Sequence, residues 1–131
     1  EITTRLVGSE MCIRDREDLS RIPLVLRERG SGTLDVFERA LSEHNMKLSS
    51  LNVLLYLGST ESIKLFLEHT DCIGIVSIRS ISRELLSGTF RVIEIKGMPM
   101  LREFCFAQPQ GQESGLSQVL MQFAMHHNKK L

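Results

Sequence analysis

Two short stretches of this sequence combine glycine with hydroxyl side chains where an apolar run gives way to an amphipathic one. The first is Leu26-Arg27-Glu28-Arg29-Gly30-Ser31-Gly32-Thr33; the second is Gly58-Ser59-Thr60-Glu61-Ser62. A helix N-terminus leaves backbone N–H groups without intrahelical partners and carries a partial positive charge, so it attracts anions and carboxylates. The hydroxyls of Ser31 and Thr33, and of Ser59 and Thr60, would add side-chain donors at such starts. Two readings stand for each stretch: a turn whose Ser or Thr merely caps the helix, or one wall of a site for a small anion. The first stretch is neither GxxxxGK[ST] nor GxGxxG, which removes the nucleotide-phosphate loops from consideration. Ser77 interrupts the apolar run Ile73–Ile78, with Arg79 behind it. Its hydroxyl faces either a cleft or neighbouring backbone.

The elements that must position these residues follow from periodicity. Ile22, Leu24, Val25 and Leu26 read as a buried strand. Leu34, Phe37, Ala40 and Leu41 recur at helical spacing from about Thr33, with Asp35, Glu38, Arg39 and Glu43 opposite them and Asn45 as a stop. Leu51–Leu57 is a second strand, and Ser59 caps a helix carrying Ile63, Leu65, Phe66 and Leu67. Cys72–Ile78 is apolar enough to be covered on both faces. A short helix near Ile81–Leu86, strands at Phe90–Ile95 and Leu101–Ala107, and a last helix with Leu116, Val119, Leu120 and Phe123 complete the order β-α-β-α-β-α-β-β-α. That alternation predicts an α/β fold with a mostly parallel sheet flanked by helices.

Composition narrows the function. The 131 residues carry 16 basic and 16 acidic side chains, so there is no electrostatic footprint for nucleic acid or anionic membrane. No apolar run approaches the roughly 20 residues a membrane-spanning helix needs. Cys12, Cys72 and Cys105 are an odd number without CxxC spacing, which fits reduced thiols in a cytoplasmic protein. Cys72 and Cys105 read as small core residues. His126-His127 reads as part of a frayed C-terminus rather than a metal tract, so no metal and no cofactor is expected. No GxSxG elbow, HExxH helix or Cys/His pair is present, and no enzyme is expected.

The run DLSRIPLVLRERGSGTLDVFERAL resembles the opening of the second regulatory lobe of LysR-type transcriptional regulators. LNVLLYLGSTESIK, CIGIVSIRSISRELLSGTFRVIEI and MLREFCFA follow in the family's order. The resemblance implies an effector-binding domain of the type II periplasmic-binding-protein fold, in which two α/β lobes enclose a small, often anionic metabolite. Carried over residue by residue, it assigns Gly30, Ser31, Gly32 and Thr33 to the cleft turn, Ser59, Thr60 and Glu61 to the second helix start, and Ser77 to the cleft end of the third strand. Residues 17–97 would form the second lobe, and 98–131 a return strand and a helix belonging to the first lobe, leaving an incomplete two-lobe domain. The implied partners are a small-molecule effector, DNA only through an N-terminal helix-turn-helix outside this chain, and a second or further copies in a homodimer or homotetramer. The alternative is a solute-binding protein of a transport system with the same fold.

Leu6–Asp15 departs from the family. These ten residues translate, in one frame, a DNA string that looks like the adapter of transposase-based library preparation. Residues 1–16 are therefore expected to be a non-native lead-in to a truncated regulator. Leu6–Arg16, including Met11, Cys12 and Ile13, is expected to pack poorly, and deletion of Glu1–Arg16 to leave stability unchanged or better.

Overall fold

A computed structural model describes residues 2–8, 16–103, 105–107, 110–111 and 115–127. Leu24, Val25 and Leu26 leave no surface to solvent, and they form the centre of β2 (Leu24–Arg27). Such a strand needs neighbours on both edges and cover on both faces. Its edges are taken by β3 (Val53–Leu57) and β4 (Ile73–Ser77), both parallel to it. Its faces are covered by α1 (Gly32–Glu43) on one side and α2 (Thr60–Leu67) on the other. Leu34, Phe37, Ala40 and Leu41 of α1 pack with Leu24, Leu26, Ile73 and Ile75. Ile63 and Leu67 of α2 pack with Val25, Cys72 and Val76, the residues that point the other way along the same strands.

A turn of 3-10 helix at Ile78–Ile81 runs into α3 (Ser82–Leu86), and β5 (Arg91–Ile93) returns to the sheet. The order is β3-β2-β4-β1-β5. The strand β1 (Ile2–Gly8) is one the sequence pattern did not indicate. It runs antiparallel between β4 and β5, aligning Leu6 with Ile75 on one side and with Ile93 on the other. Leu6, Val7 and Gly8 belong to the adapter-like tract; Met11, Cys12 and Ile13 lie outside the described residues. Strand pairing uses backbone N–H and C=O groups that every non-proline residue carries, so this slot can be filled whatever the origin of the segment.

The return segment differs from expectation. Among the described residues of the expected strand Leu101–Ala107, Leu101–Arg102 pair, as β6 against β1. Cys105 is exposed rather than in the core, because the strand has no partner beyond Arg102 among the described residues. α4 (Gly115–His127) forms as the pattern predicts, yet Leu116, Val119, Leu120 and Phe123 remain exposed.

Gly74 marks the closest approach of α2 to the sheet. A Cβ there would stand 2.8 Å from Leu67 Cδ1 and 2.9 Å from Ile63 Cγ2, both on fully packed side chains. Gly74→Ala is expected to cost about 1–3 kcal/mol by overpacking, whereas Gly58→Ala, with open space around the position, should change stability by less than about 0.5 kcal/mol. Chemical denaturation of the two variants checks the contrast. Because β1 holds β5 to β4, deleting residues 1–8 should lower the unfolding midpoint, the opposite of what the lead-in reading expects. An unchanged midpoint would show the strand to be dispensable.

Candidate functional site

The order β3-β2-β4 means that the chain leaves β2 toward one side, through α1, and returns past it to the other, through α2. In an open α/β sheet, ligands bind outside the carboxyl ends of the strands where the order reverses in this way. Since β2, β3 and β4 are parallel, their carboxyl ends lie at one end of the sheet. The turn at residues 28–31, the start of α2 at residues 58–60 and the β4 end at Ser77 all open there.

The first turn needs a left-handed residue, and Gly30 supplies it at φ 87°. Ser31 is extended and buried, and its Oγ accepts a hydrogen bond from Thr33 N at 3.3 Å, capping α1. Ser59 caps α2 in the same manner, accepting from Ser62 N at 3.1 Å, with its hydroxyl 2.8 Å from Ser62 Oγ. Both serines therefore act as caps. Ser31 keeps its hydroxyl hydrogen besides the lone pair spent on the cap, whereas Ser59 shares one hydrogen bond with the Ser62 hydroxyl. Thr33 is half-buried on the first turn of α1, and Ser77 is half-buried at the end of β4, its carbonyl accepting from Ser80 Oγ at 2.6 Å.

Two arginines that the motif reading passed over bear on this end of the sheet. Arg27, the last residue of β2, reaches across to the start of α2. Its Nη1 donates to Thr60 Oγ1 at 3.1 Å and its Nη2 to the Gly58 carbonyl at 3.4 Å. The same guanidinium donates through Nε and Nη2 to the two carboxylate oxygens of Glu28, both at 2.9 Å. This two-point fork holds the Glu28 carboxyl below its ordinary range, with help from its own backbone N–H, and raises Arg27. Arg102 of β6 lies over the start of α1. A Cβ on Gly32 would meet its Nη1 at 2.8 Å and Cζ at 2.9 Å, so glycine is what lets the guanidinium rest there. The helix N-terminus and the two guanidinium groups all favour negative charge. No pattern of spacing could have flagged Arg27 or Arg102, because their partners are set by strand register and by the return of the chain.

Glu61 follows Thr60 in the first turn of α2 and is tied into a neighbouring cluster. Its carboxylate lies 2.9 Å from Lys64 Nζ, which is also 2.8 Å from Glu84 Oε1. The bond to Glu84, then that to Glu61, holds Lys64 above its ordinary 10.5, and Lys64 holds Glu84 below its ordinary 4.5. The second Glu84 oxygen is buried without a partner among the described residues. Among those residues there is also no group of three or more His, Cys, Asp or Glu side chains that could hold a metal ion.

With this geometry in view, the comparisons are consistent with one another. Residues 10–129 match the family model described as the LysR substrate binding domain. CmpR of Synechocystis, an HTH-type transcriptional activator, is 30% identical over 114 residues, covering 86% of this chain and 36% of its own. The regulatory domain of CcmR from Synechocystis PCC6803, in complex with 2-PG, superposes with a TM-score of 0.82 at 20% identity, over 99% of this chain and 64% of that one. The effector binding domain of QuiR in complex with shikimate gives 0.70 at 16% identity, over 98% and 63%. The fold is thus the periplasmic-binding-protein-like α/β lobe of an effector-binding domain. The chain belongs to the LysR family, whose members are transcriptional regulators, and the transport-protein alternative gives way to that membership. It spans about a third of the length of CmpR. No described helix is long and apolar enough to cross a membrane.

The depressed carboxyls fix the sign of one pH effect. A carboxyl lowered by folding stabilises the native state above its unfolded value, and that contribution disappears as pH falls through the folded value. Stability should therefore fall on acidification below about pH 4.5. Glu84→Gln should flatten that fall, as followed by thermal unfolding between pH 3 and pH 7.

Proposed function

We propose that this chain is the effector-sensing lobe of a cytoplasmic LysR-type regulator, and that it takes a small anionic metabolite at the mouth formed by residues 30–33, Ser59, Thr60 and Ser77. One observation carries the reading. The carboxyl ends of three parallel strands open at the switch point, beside a buried serine-capped helix start and the guanidinium groups of Arg27 and Arg102. Glu61 belongs to the rim of the site and not its floor, since Lys64 holds it. In the full-length protein the first lobe would supply the opposite wall, and a helix-turn-helix domain would contact DNA. The regulator would work as a homodimer or homotetramer.

Sensing by such a lobe has a simple thermodynamic form. The effector must bind one arrangement of the lobes more tightly than the other, and whatever it does to DNA affinity, DNA does to effector affinity. Substrate turnover plays no part: the donors at the mouth hold a ligand and activate nothing.

The 2-PG bound to CcmR and the shikimate bound to QuiR are natural probes. Titration calorimetry of this chain with 2-PG, shikimate and inorganic phosphate should detect binding by at least one. Thr33→Val removes a hydroxyl at constant shape and should weaken that binding about tenfold, the worth of one hydrogen bond to a charged group. Ser31→Ala should in addition cost about 1 kcal/mol of stability through loss of the cap. Unaltered affinity in both variants would remove the GSGT turn from the site.

A further inference from the structure

Arg27 and Glu28 are neighbours in sequence, and along a continuing strand their side chains would point to opposite faces. The strand ends at Arg27, and the two side chains turn together into a two-point pair with both contacts at 2.9 Å. The guanidinium is the more covered partner, 22% exposed against 44% for the carboxylate. Glu28 thus lies on the solvent side of a fork, while two further donors of the same guanidinium are directed at Thr60 and Gly58. Two parallel N–H donors are the geometry by which arginine takes up carboxylate, phosphate or sulfonate groups.

We propose that Glu28 is a built-in stand-in for the effector: its carboxylate occupies the Arg27 fork in the empty lobe, and the anionic group of the effector displaces it. This rests on the anion-site reading above and adds a specificity-determining pair to it. An internal carboxylate loses no translational freedom on occupying the fork, whereas a free anion does. A lone anion therefore competes poorly. A ligand that also engages the α1 start, through Ser31 and Thr33, gains the further contacts needed to win. The exchange selects for effectors with an anionic head and a polar body long enough to span from Arg27 to α1. It also holds Arg27 against Thr60 in the empty state, so that the mouth keeps its shape before any ligand arrives.

The two members of the pair then have opposite signs in a binding experiment. The probes are inorganic phosphate and sulfate, titrated by calorimetry into the 131-residue chain and its variants. Glu28→Gln should tighten binding about five- to tenfold by weakening the internal competitor. Glu28→Ala, which deletes that competitor, should act in the same direction. Arg27→Lys keeps the charge but not the fork and should weaken binding about tenfold. Thermal unfolding confirms that each variant is folded. If wild type binds and neither Glu28 variant binds more tightly, the exchange is refuted while the anion site stands. If neither wild type nor Glu28→Gln binds either probe, the anion-site reading falls with it. Binding by Glu28→Gln where wild type shows none supports the exchange.

Discussion

Burial of β2 on both faces and along both edges is the constraint from which the rest of this lobe follows. A three-residue stretch, Leu24 to Leu26, surrenders all its solvent contact. Every backbone group in such a strand has to be paired, because an unpaired one would be stranded away from water. β3 and β4 supply the pairing, and they supply it in parallel, since the connecting helices α1 and α2 are long enough to carry the chain back to the starting end. Parallel pairing on both sides aligns three carboxyl ends. The gathering of these turns at one end is therefore a by-product of how the core is closed.

The residues at that end divide the work. Ser31 and Ser59 hold helix starts in place, an office that spends one lone pair each. Arg27 ties the end of β2 to the start of α2 and so fixes the two turns relative to one another. Arg102 lies against Gly32, so the segment that follows β5 also bears on the start of α1. The Lys64–Glu84–Glu61 cluster stands beside this arrangement and braces α2 against α3.

What could be read in advance, and what could not, has a physical division. The helix at Gly32–Glu43 was legible because Leu34, Phe37, Ala40 and Leu41 repeat with the helical period, and the strand Ile73–Ser77 because a run so largely apolar has to be covered on both faces. Capping was legible as one of two readings, and the side chains of Ser31 and Ser59 do cap. The reach of Arg27 to Thr60 was not, because 33 residues separate them and only the β2–β3 register brings them together. β1 was missed because backbone pairing leaves little trace in side-chain pattern when the slot lies between two strands already formed. The exposed Cys105 and the apolar residues along α4 show the converse. Periodicity reports which face of an element is apolar and says nothing of whether a partner for that face lies within the chain.

Gly74 gives these relations a scale. It carries no side chain under α2, so the helix rests almost directly on the backbone of β4, and Thr60 at the head of that helix comes within reach of Arg27. The absent side chain is in effect a shim of zero thickness. Its replacement by anything larger would raise the helix like a drawbridge and open the gap that the Arg27 guanidinium now spans. The distance of α2 from the sheet is thus set from below, by a glycine buried in the core. A single methyl group at that depth would be felt at the surface only through the helix it displaces, with every exposed residue left as it is.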